Sequence, residues 1–408
     1  MSQSPRRVVV LGSYPVKQPR HGGQLRLTEI IAAYRESGYS VVSVNCFPPS
    51  AFYLQGGCGG NDFPAPLHEL GQYRGFRAPF IEDLACGDWI VSRPGYLRRI
   101  RELVGGGCAA IHLEQPWLLP LARELLQHLP SGIALIYGSQ NIESPLKEAI
   151  FDQYKFSGAE PLIRSIDDLE RQAAALADIV LAVTSQDAAK LAGWIKPKGR
   201  VVLAGNGIRP WQASAQAIER WPARLGERPF GLYAASGHPP NVKGFVESFG
   251  PSLAALAPDQ RIVVAGGVAD QLGQHPWFGR WGPLHARRLE LLGVLAQTDL
   301  DALRVLAHSF VLPTTSGGGS HLKTAEALYS GRHVIATPLA MRGFESFLQL
   351  TGLQVVSPGL EFARAVGQSL RKKPLELGDR SCSERNQLTW SSTLAPMIKA
   401  LAEHEACR

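Results

Sequence analysis

The chain has 408 residues, enough for two domains of ordinary size, and its 45% hydrophobic and 19% charged residues describe a globular protein rather than a disordered one. Its formal net charge is +7, but the Lys and Arg residues are spread out and accompany no nucleic-acid-binding motif, so we expect no nucleic-acid partner. The six cysteines show no C-x-x-C pair and no metal-ligand spacing with histidine, which favours idle thiols in a reducing cytosol. No apolar run reaches the roughly 18 residues that a membrane span needs.

The chain opens with a Rossmann-like pattern of strand, loop, helix and strand. Residues 8–12 are a short apolar run of strand type, apolar positions recur at helical spacing between 27 and 34, and residues 41–44 are again of strand type. No G-x-G-x-x-G fingerprint follows the first strand, which disfavours a Rossmann dehydrogenase. Instead, Gly22 and Gly23 stand at the predicted start of the helix.

Between residues 48 and 92 the chain is rich in glycine, proline and aromatic residues, and this composition predicts a long irregular loop. Residues 93–104 then predict an amphipathic helix, with Arg98, Arg99 and Arg101 off its apolar stripe. A basic amphipathic helix can bind anionic lipid headgroups at a membrane surface, and a solvated charged face is the simpler alternative.

Residues 109–117 and 134–144 each predict a strand that ends in polar side chains. In parallel sheets, ligands bind outside the carboxyl ends of the strands, so these side chains are candidates for a binding site. They are His112, Glu114, Asn141 and Glu143.

The alternation of predicted helices and strands continues to the end of the first domain, and a predicted linker then interrupts it. A helix over 166–177, a strand over 178–183 and a helix capped by Ser185 lead to the end of the first domain. Residues 209–229 contain three prolines and predict a linker between domains. A strand over 230–235 then opens the second domain.

The sequence TDLD at 298–301 contains the D-x-D pattern that holds a metal in some nucleotide-sugar sites. It precedes a helical pattern, so Thr298 as the N-cap, with acidic residues in the first turn, explains the motif better. We therefore predict no metal.

Residues 309–343 combine a strand, a glycine-rich turn, a short helix and a second strand. The three glycines 317–319 leave no side chains to hold a ligand away from the backbone. The predicted helix begins at Ser320, and its N-terminus offers free N–H groups and the positive end of a helix dipole, which suits phosphate. Lys323 on this helix suits phosphate as well, and Glu326 suits hydroxyl groups.

The run GGGSHLKTAEALYSGRHVIAT within this stretch resembles the donor-binding segment of retaining family 4 glycosyltransferases of the B fold. The resemblance implies an α/β fold with two Rossmann-like domains facing a cleft: residues 1–208 on the acceptor side, a linker over 209–229, a nucleotide-sugar-binding domain over 230–390, and a C-terminal helix over 391–408 that returns to the first domain.

The resemblance also implies site residues. Lys243 and His238 would hold the donor diphosphate, with histidine standing where the family has arginine, and Glu114 stands where the family often has a sugar-orienting histidine. Gln140 likewise replaces a histidine of the family, and Gly318 replaces the first glutamate of the family's E-x7-E motif. The implied donor-binding residues are Gly22, Gly23, Gly237, Val294, Leu295, Gly317, Gly318, Gly319, Ser320, Leu322 and Glu326.

The implied reaction is transfer of a sugar from a nucleotide-diphosphate sugar, with UDP or GDP as the nucleotide, to an acceptor hydroxyl with retention of anomeric configuration and without a cofactor. The acceptor would be a glycan, a lipid-linked sugar or another hydroxyl compound, with peripheral contact to the cytoplasmic face of a membrane. Two alternatives stay open: a sugar-nucleotide epimerase of the same fold, and a catalytically inert nucleotide-sugar-binding protein.

Overall fold

A computed structural model describes residues 6–50, 53, 57–70, 82–153, 155–156, 158–226 and 228–407. The chain divides into two compact units, one formed by Met1–Gly205 with Leu394–Arg408 and the other by Asn206–Thr393. Each unit has a parallel sheet with helices. The predicted fold class, α/β with two Rossmann-like domains, is confirmed.

The first unit has a seven-stranded sheet in the order β3-β2-β1-β4-β5-β6-β7. Its strands are β1 (Arg7–Gly12), β2 (Ser40–Phe47), β3 (Asp62–Pro64), β4 (Ala110–Glu114), β5 (Ala134–Ser139), β6 (Ile179–Ala182) and β7 (Arg200–Leu203). Its helices are α1 (Gly22–Glu36), α2 (Leu67–Leu70), α3 (Glu82–Val91), α4 (Pro94–Val104), α5 (Leu119–His128), α6 (Glu143–Gln153), α7 (Glu160–Leu176) and α8 (Ser185–Ala192).

Strand β1 lies in the middle of this sheet, paired in parallel with β2 and β4. Its residues Val8–Leu11 are fully buried, as expected for a strand covered on both faces. Helix α1 buries the apolar stripe formed by Leu27, Ile30, Ile31 and Tyr34. The chain order changes direction between β1 and β4, which is the topological switch point of this sheet.

The second unit has a six-stranded sheet in the order β10-β9-β8-β11-β12-β13. Its strands are β8 (Phe230–Ala234), β9 (Arg261–Ala265), β10 (Leu289–Leu291), β11 (Ser309–Leu312), β12 (His333–Ala336) and β13 (Leu353–Val355). Its helices are α9 (Ala215–Leu225), α10 (Pro239–Phe249), α11 (Gly267–Gln274), α12 (Pro276–Arg280), α13 (Gly282–Arg288), α14 (Gln297–Leu306), α15 (Leu322–Tyr329), α16 (Leu360–Ser369) and α17 (Asp379–Asn386). A last helix, α18, spans Trp390–Ala406.

The second sheet has its switch point between β8 and β11, which pair in parallel at Ser309–Gly231 and Phe310–Leu232. A close approach of backbone to helix fixes this region: a Cβ on Gly244 of α10 would lie 2.2 Å from the carbonyl oxygen of Pro313. Only glycine allows α10 to pack this tightly against the chain leaving β11.

Two predicted irregular stretches contain helices. Within 48–92 the structure has the helix α3, whose Cys86 and Ile90 are fully buried; residues 51–52, 54–56 and 71–81 of that stretch lie outside the described residues. Within the predicted linker 209–229 the helix α9 packs Trp221 and Leu225 into the core of the second unit. The glycines and prolines of these stretches favoured a prediction of loops. The helices form nevertheless, because burial of their apolar side chains outweighs local propensity.

Both predicted side-chain caps are wrong. Helix α8 begins at Ser185, but its N-cap is Thr184, whose Oγ1 accepts a hydrogen bond from the Asp187 amide at 3.0 Å. Helix α14 has Ala296 as its N-cap, without a side-chain cap bond, so Thr298 already lies inside the helix. In each helix the residue with extended backbone takes the cap position.

Among the described residues, no helix combines the length and apolar character needed to cross a membrane.

Candidate functional site

The glycine-rich loop lies at the switch point of the second sheet, after strand β11. Gly317 has φ 122° and Gly319 has φ 62°, both in the left-handed region that favours glycine. The loop ends at His321, the N-cap of α15, whose side chain makes no cap hydrogen bond. The N-terminal amides of α15 are therefore not capped by that side chain.

The loop after β8 lies on the other side of the same switch point. It leads to His238, the N-cap of α10, which likewise makes no side-chain cap hydrogen bond. Gly237 in this loop approaches the backbone of Gly267 closely, since a Cβ there would lie 3.1 Å from the Gly267 carbonyl oxygen. Two helix N-termini without side-chain caps thus follow the two strands that flank the switch point.

Lys323 joins these two helices. Its Nζ lies 2.6 Å from Oδ1 of Asn241 on α10 and 5.6 Å from the ring centroid of Tyr233. Burial lowers the pKa of Lys323 to about 8, because desolvation disfavours its charged form. A partly desolvated ammonium with a neutral amide oxygen as its partner is well suited to bind an added anion.

Other basic groups surround Lys323. Partial burial and then the charge of Lys323 lower the pKa of His238. Burial, followed by the charges of Lys323 and Arg342, lowers the pKa of His321 to about 3. The charge of Lys323 thus lowers the pKa of both histidines, which indicates that all three groups lie near one another, and no acidic side chain of the described residues counteracts these shifts.

Several buried polar atoms near this place have no hydrogen-bond partner among the described residues. They are Thr314 Oγ1, Ser320 Oγ and His321 Nε2. Buried polar atoms are normally hydrogen-bonded, so a cluster of unpaired ones indicates a position that a ligand or water fills. We define the basic loop site as Gly317–Gly319, Ser320, His321, Lys323, Asn241 and His238.

Lys243, which the sequence predicts to be catalytic, lies on α10, two residues after Asn241. Its side chain is 61% exposed, and its Nζ is 3.8 Å from Glu247 Oε1. The neighbouring Gly244 is explained by packing against Pro313. The Lys-Gly pair therefore combines a solvated charge with a packing glycine.

Glu326 lies on α15, with its side chain 23% exposed. Its Oε1 accepts a hydrogen bond from Arg304 Nη2 at 2.5 Å, and its Oε2 has no hydrogen-bond partner in the described part of the chain. Leu322, at the first position of α15, is half-buried. Glu326 thus has one oxygen that can accept a hydroxyl group of a ligand.

The segment after β10 combines a constrained backbone with an exposed apolar side chain. Gly293 has φ 64°, and its carbonyl oxygen accepts a hydrogen bond from the Gly266 amide at 2.6 Å. Val294 is 78% exposed, whereas Leu295 packs against the core of the unit. The sequence-predicted residue Val294 is therefore accessible to a ligand, whereas Leu295 is largely part of the core.

At the corresponding edge of the first unit, the helix that follows β1 has a side-chain cap. Helix α1 is capped by His21, whose Nδ1 accepts hydrogen bonds from the amides of Gly23 and Gln24 at 3.2 and 3.4 Å. Burial lowers the pKa of His21 to about 4, which keeps the ring neutral and able to accept. Gly22 is exposed, and a Cβ on Gly23 would lie 2.7 Å from the Tyr14 ring. The glycines serve the close packing of this capped helix start.

Glu114 is buried in a chain of polar contacts. Arg26 Nε donates to its Oε1 at 3.0 Å, and its Oε2 lies 2.8 Å from His112 Nε2, while Tyr34 Oη lies 2.8 Å from His112 Nδ1. Gln140 Nε2 also donates to Oε1, at 3.1 Å. Burial alone would raise the pKa of Glu114, but Arg26 and the hydrogen bonds bring it below its usual value.

Glu143 occupies a second buried cluster nearby. It accepts hydrogen bonds from Gln115 at 3.1 Å and from Asn141 at 3.4 Å, and burial is the main reason that its pKa rises to about 7. Gln115 has φ 64°, which is uncommon for a residue other than glycine, and its buried Oε1 has no partner among the described residues. The structure thus brings together the predicted residues of this edge, but mostly as partners of one another.

Sequence reasoning missed Asn241, Arg304 and Gln115. Asn241 lies two residues before Lys243 in a segment whose visible signal is its lysine, whereas Arg304 and Gln115 belong to no recognisable pattern. The Asp residues of TDLD also have partners: Asp299 accepts from Trp221 Nε1 at 3.0 Å, and Asp301 accepts from Arg304. Among the described residues, no group of three or more His, Cys, Asp or Glu side chains could hold a metal ion.

Residues 21–207 match the family model described as a Glycosyl transferase 4-like domain. The sequence has no significant match among curated proteins.

Solved structures of the same fold cover nearly the whole chain. Sucrose-phosphate synthase from Thermosynechococcus elongatus has a TM-score of 0.67 at 15% identity, over 99% of this chain and 100% of that one. Trehalose 6-phosphate synthase from Burkholderia multivorans has a TM-score of 0.63 at 15% identity, over 99% and 98%. HepE from Anabaena, solved in complex with UDP-glucose, has a TM-score of 0.60 at 16% identity, over 98% and 99%.

Proposed function

We propose that this chain, a glycosyltransferase of the GT-B fold with a glycosyl transferase 4-like domain over residues 21–207, moves a sugar from a nucleotide-diphosphate sugar to an acceptor hydroxyl. The transfer retains the anomeric configuration, needs no metal, and serves the synthesis of a polysaccharide, a glycolipid or another glycoconjugate.

The observation that carries this proposal is the basic loop site. Lys323, 2.6 Å from Asn241, lies between two helix N-termini that lack side-chain caps, beside a glycine loop with unpaired polar atoms. Helix N-termini and desolvated cations favour a multiply charged anion such as a diphosphate. HepE, a fold relative, was solved with UDP-glucose, so UDP-sugars are the first donors to test and GDP-sugars the second.

In the proposed reaction the bond between the anomeric carbon and the diphosphate breaks, and the acceptor oxygen bonds to the same face of that carbon. The departing diphosphate gains negative charge, which Lys323, the loop amides and the dipole of α15 stabilise. The acceptor proton passes to a phosphate oxygen of the leaving diphosphate, so no protein carboxylate is needed as a nucleophile. Lys243 and His238 contribute further positive charge or hydrogen bonds to the same phosphates.

Glu114 has a positioning role in this proposal. Its carboxylate is 1% exposed and is bonded to Arg26, His112 and Gln140, so it lacks the exposure that contact with a sugar would need. We infer that it fixes α1 against β4 at the switch point of the first sheet.

The acceptor is the least specified partner, and contact with anionic lipid stays a prediction. On helix α4, Arg98 is exposed, but Arg99 donates to the Gly60 carbonyl oxygen at 2.5 Å and Arg101 pairs with Glu124. The ion pair of Arg101 offsets one of the three charges that the sequence suggested, and Arg99 keeps its charge. Co-sedimentation with anionic liposomes at low salt, weakened in a variant with Arg98, Arg99 and Arg101 changed to Gln, would support a lipid-presented acceptor; absence of pelleting would favour a dissolved one.

The proposed function is tested with a panel of nucleotide-sugars. A thermal-shift screen of UDP, GDP and ADP identifies the nucleotide, since a ligand of the native state raises the melting temperature. Incubation of the matching sugar donors with acceptors, in excess chelator, then distinguishes the functions: a retained glycosidic product supports the proposal, an isomerised donor indicates an epimerase, and binding without product indicates an inert protein. Activity that returns only with Mg²⁺ or Mn²⁺ would contradict the metal-free mechanism.

A further inference from the structure

We infer that Arg304 is a positioning residue for the donor ribose: it holds Glu326 by one carboxylate oxygen so that the other oxygen accepts a ribose hydroxyl. This inference rests on the proposed function and adds two residues, Arg304 and Asp301, to the donor site. We call the group Asp301, Arg304 and Glu326 the Arg304 bridge.

The geometry of the Arg304 bridge is that of a guanidinium held between two carboxylates. Arg304 Nη1 donates to Asp301 Oδ1 at 2.8 Å, and its Nη2 donates to Glu326 Oε1 at 2.5 Å. The side chains of Arg304 and Asp301 are each 8% exposed, whereas that of Glu326 is 23% exposed. The bridge therefore runs from the interior to a carboxylate that faces solvent.

Asp301 is itself fixed from two sides. Gln297 Nε2 donates to its Oδ1 at 2.8 Å, and the Gln212 amide donates to its Oδ2 at 3.2 Å. The guanidinium carbon of Arg304 lies 5.8 Å from the ring centroid of Trp211, which stacks on Phe310. The planar guanidinium of Arg304 is thus held by Asp301 and Trp211, and this arrangement directs its Nη2 toward Glu326.

The consequence concerns Glu326 Oε2, which has no hydrogen-bond partner in the described part of the chain. A free glutamate side chain would lose several rotatable bonds on binding a hydroxyl, whereas one pinned by Oε1 has lost them already. The Arg304 charge also offsets the carboxylate beside a dianionic diphosphate. Glu326 can then accept a ribose hydroxyl without strong repulsion of the donor.

The test pairs a protein change with a ligand change. Affinity is measured for UDP and 2′-deoxy-UDP, or for GDP and 2′-deoxy-GDP if the wild type prefers guanine, and the same is done for the 3′-deoxy forms. We expect the wild type to favour a ribose nucleotide about tenfold, the usual effect of a hydrogen bond to a charged group. Glu326→Gln and Arg304→Met should each bring this ratio close to one, with little change in affinity for the deoxynucleotide.

The matched control is Arg220→Met. Arg220 pairs with Asp299, the other acidic residue of TDLD, and its side chain is 56% exposed. This variant should keep the ribose preference. Arg304→Lys and Asp301→Asn cover the case in which Arg304→Met does not fold, and both should reduce the ratio in part, because lysine cannot bond to both carboxylates through one planar group.

The outcomes separate the inference from the proposed function. A wild type that binds no nucleoside diphosphate contradicts the proposed function, whereas one that binds them with no ribose preference contradicts only the role of Glu326. Equal loss of affinity for ribose and deoxyribose forms in Arg304→Met, or an unchanged ratio in all the bridge variants, would overturn the positioning role of Arg304.

Discussion

The carboxyl edges of the two sheets are built alike but are satisfied differently. In the first unit the helix after β1 is capped by His21, and the ion pair Arg26–Glu114 is closed by further hydrogen bonds. In the second unit the helices after β8 and β11 lack side-chain caps, and Lys323 has an amide oxygen in place of a carboxylate partner. At the edge of the first sheet the polar groups bond mainly to one another, whereas at the edge of the second sheet several polar groups remain available to a ligand.

The comparison of the two edges shows how a binding site can be distinguished from an internal network of polar residues at a switch point. Burial and charge occur at both edges, so neither distinguishes a binding site from an internal network. The distinguishing feature is whether each buried charge has a partner of opposite charge. Glu114 is bonded to an arginine and to two further hydrogen-bond partners. Lys323 has no carboxylate partner among the described residues, and the other groups near it are basic or have unpaired polar atoms. The first edge also keeps some unpaired atoms, such as Gln115 Oε1, and burial raises the pKa of its Glu143 to about 7.

The largest expected effect is on stability in the first unit. Glu114→Ala leaves the buried guanidinium of Arg26 without its carboxylate, and breaking a buried pair in this way costs ~3–5 kcal/mol. Urea denaturation should show this loss, while nucleotide affinity of the folded variant stays unchanged. The control is Lys399→Ala: the Lys399 side chain is 78% exposed and pairs with Glu403, so its removal should lower the free energy of unfolding by less than ~1 kcal/mol. Weakened nucleotide binding in a stable Glu114→Ala protein would place Glu114 in the donor site.

The next effect is on the donor. Lys323→Ala should weaken binding of the nucleoside diphosphate by ~1.5–3 kcal/mol, the usual value of a charged hydrogen bond, and should lower the rate of transfer. Isothermal titration calorimetry measures the affinity, and thermal unfolding checks that the fold persists. Because a partly desolvated cation is removed, we expect stability to be equal to or above that of the wild type. Wild-type affinity in Lys323→Ala would mean that the diphosphate binds elsewhere.

A pH dependence should follow from the same group. The pKa of Lys323 in the free protein is about 8, below its usual value, so its charge is mostly present at pH 7 and is lost as the pH rises through 8. The terminal phosphate, with a pKa near ~6, is already ionised across that range. Affinity should therefore fall above pH 8, by at most ~1.4 kcal/mol for each pH unit, toward the value of Lys323→Ala. Lys323→Arg should remove this fall, and a fall that persists in Lys323→Arg would assign it to another group.

Much of the fold could be predicted, because buried parallel strands are near-continuous apolar runs. Val8–Leu11 and Phe310–Leu312 are such runs, and the glycine loop with α15 was found at its observed place. Helices α3 and α9 were missed because the glycines and prolines in and around them suggested loops. Burial of side chains such as Ile90 and Trp221 helps to stabilise both helices.

The residue types of the candidate site can be read from the sequence, but their contacts cannot. Lys323, Glu326 and the three glycines carry chemistry that the sequence displays. The partners of those residues are distant in sequence: Asn241 is 82 residues from Lys323, and Arg304 is 22 residues from Glu326. Nor could the sequence distinguish Lys243 from Lys323, since only the fold decides which lysine is desolvated.

The smallest expected effect separates those two lysines. Lys243→Ala should weaken donor binding by less than ~1 kcal/mol, because its side chain is 61% exposed and its charge is shared with Glu247 at 3.8 Å. An exposed charge acts through solvent, so the loss should shrink further when the salt concentration rises well above 0.15 M, roughly where the Debye length falls below ~8 Å. The loss in Lys323→Ala should depend less on salt, since that group is partly desolvated. Donor affinity of the two variants, measured at low and at high salt, therefore tests the distinction drawn between the two sheet edges. That distinction is whether a charge has a partner of opposite charge or lacks one. If Lys243→Ala loses as much affinity as Lys323→Ala at both salt concentrations, Lys243 moves onto the diphosphate when the donor binds, and exposure in the unliganded protein is then no guide to which cation holds the donor.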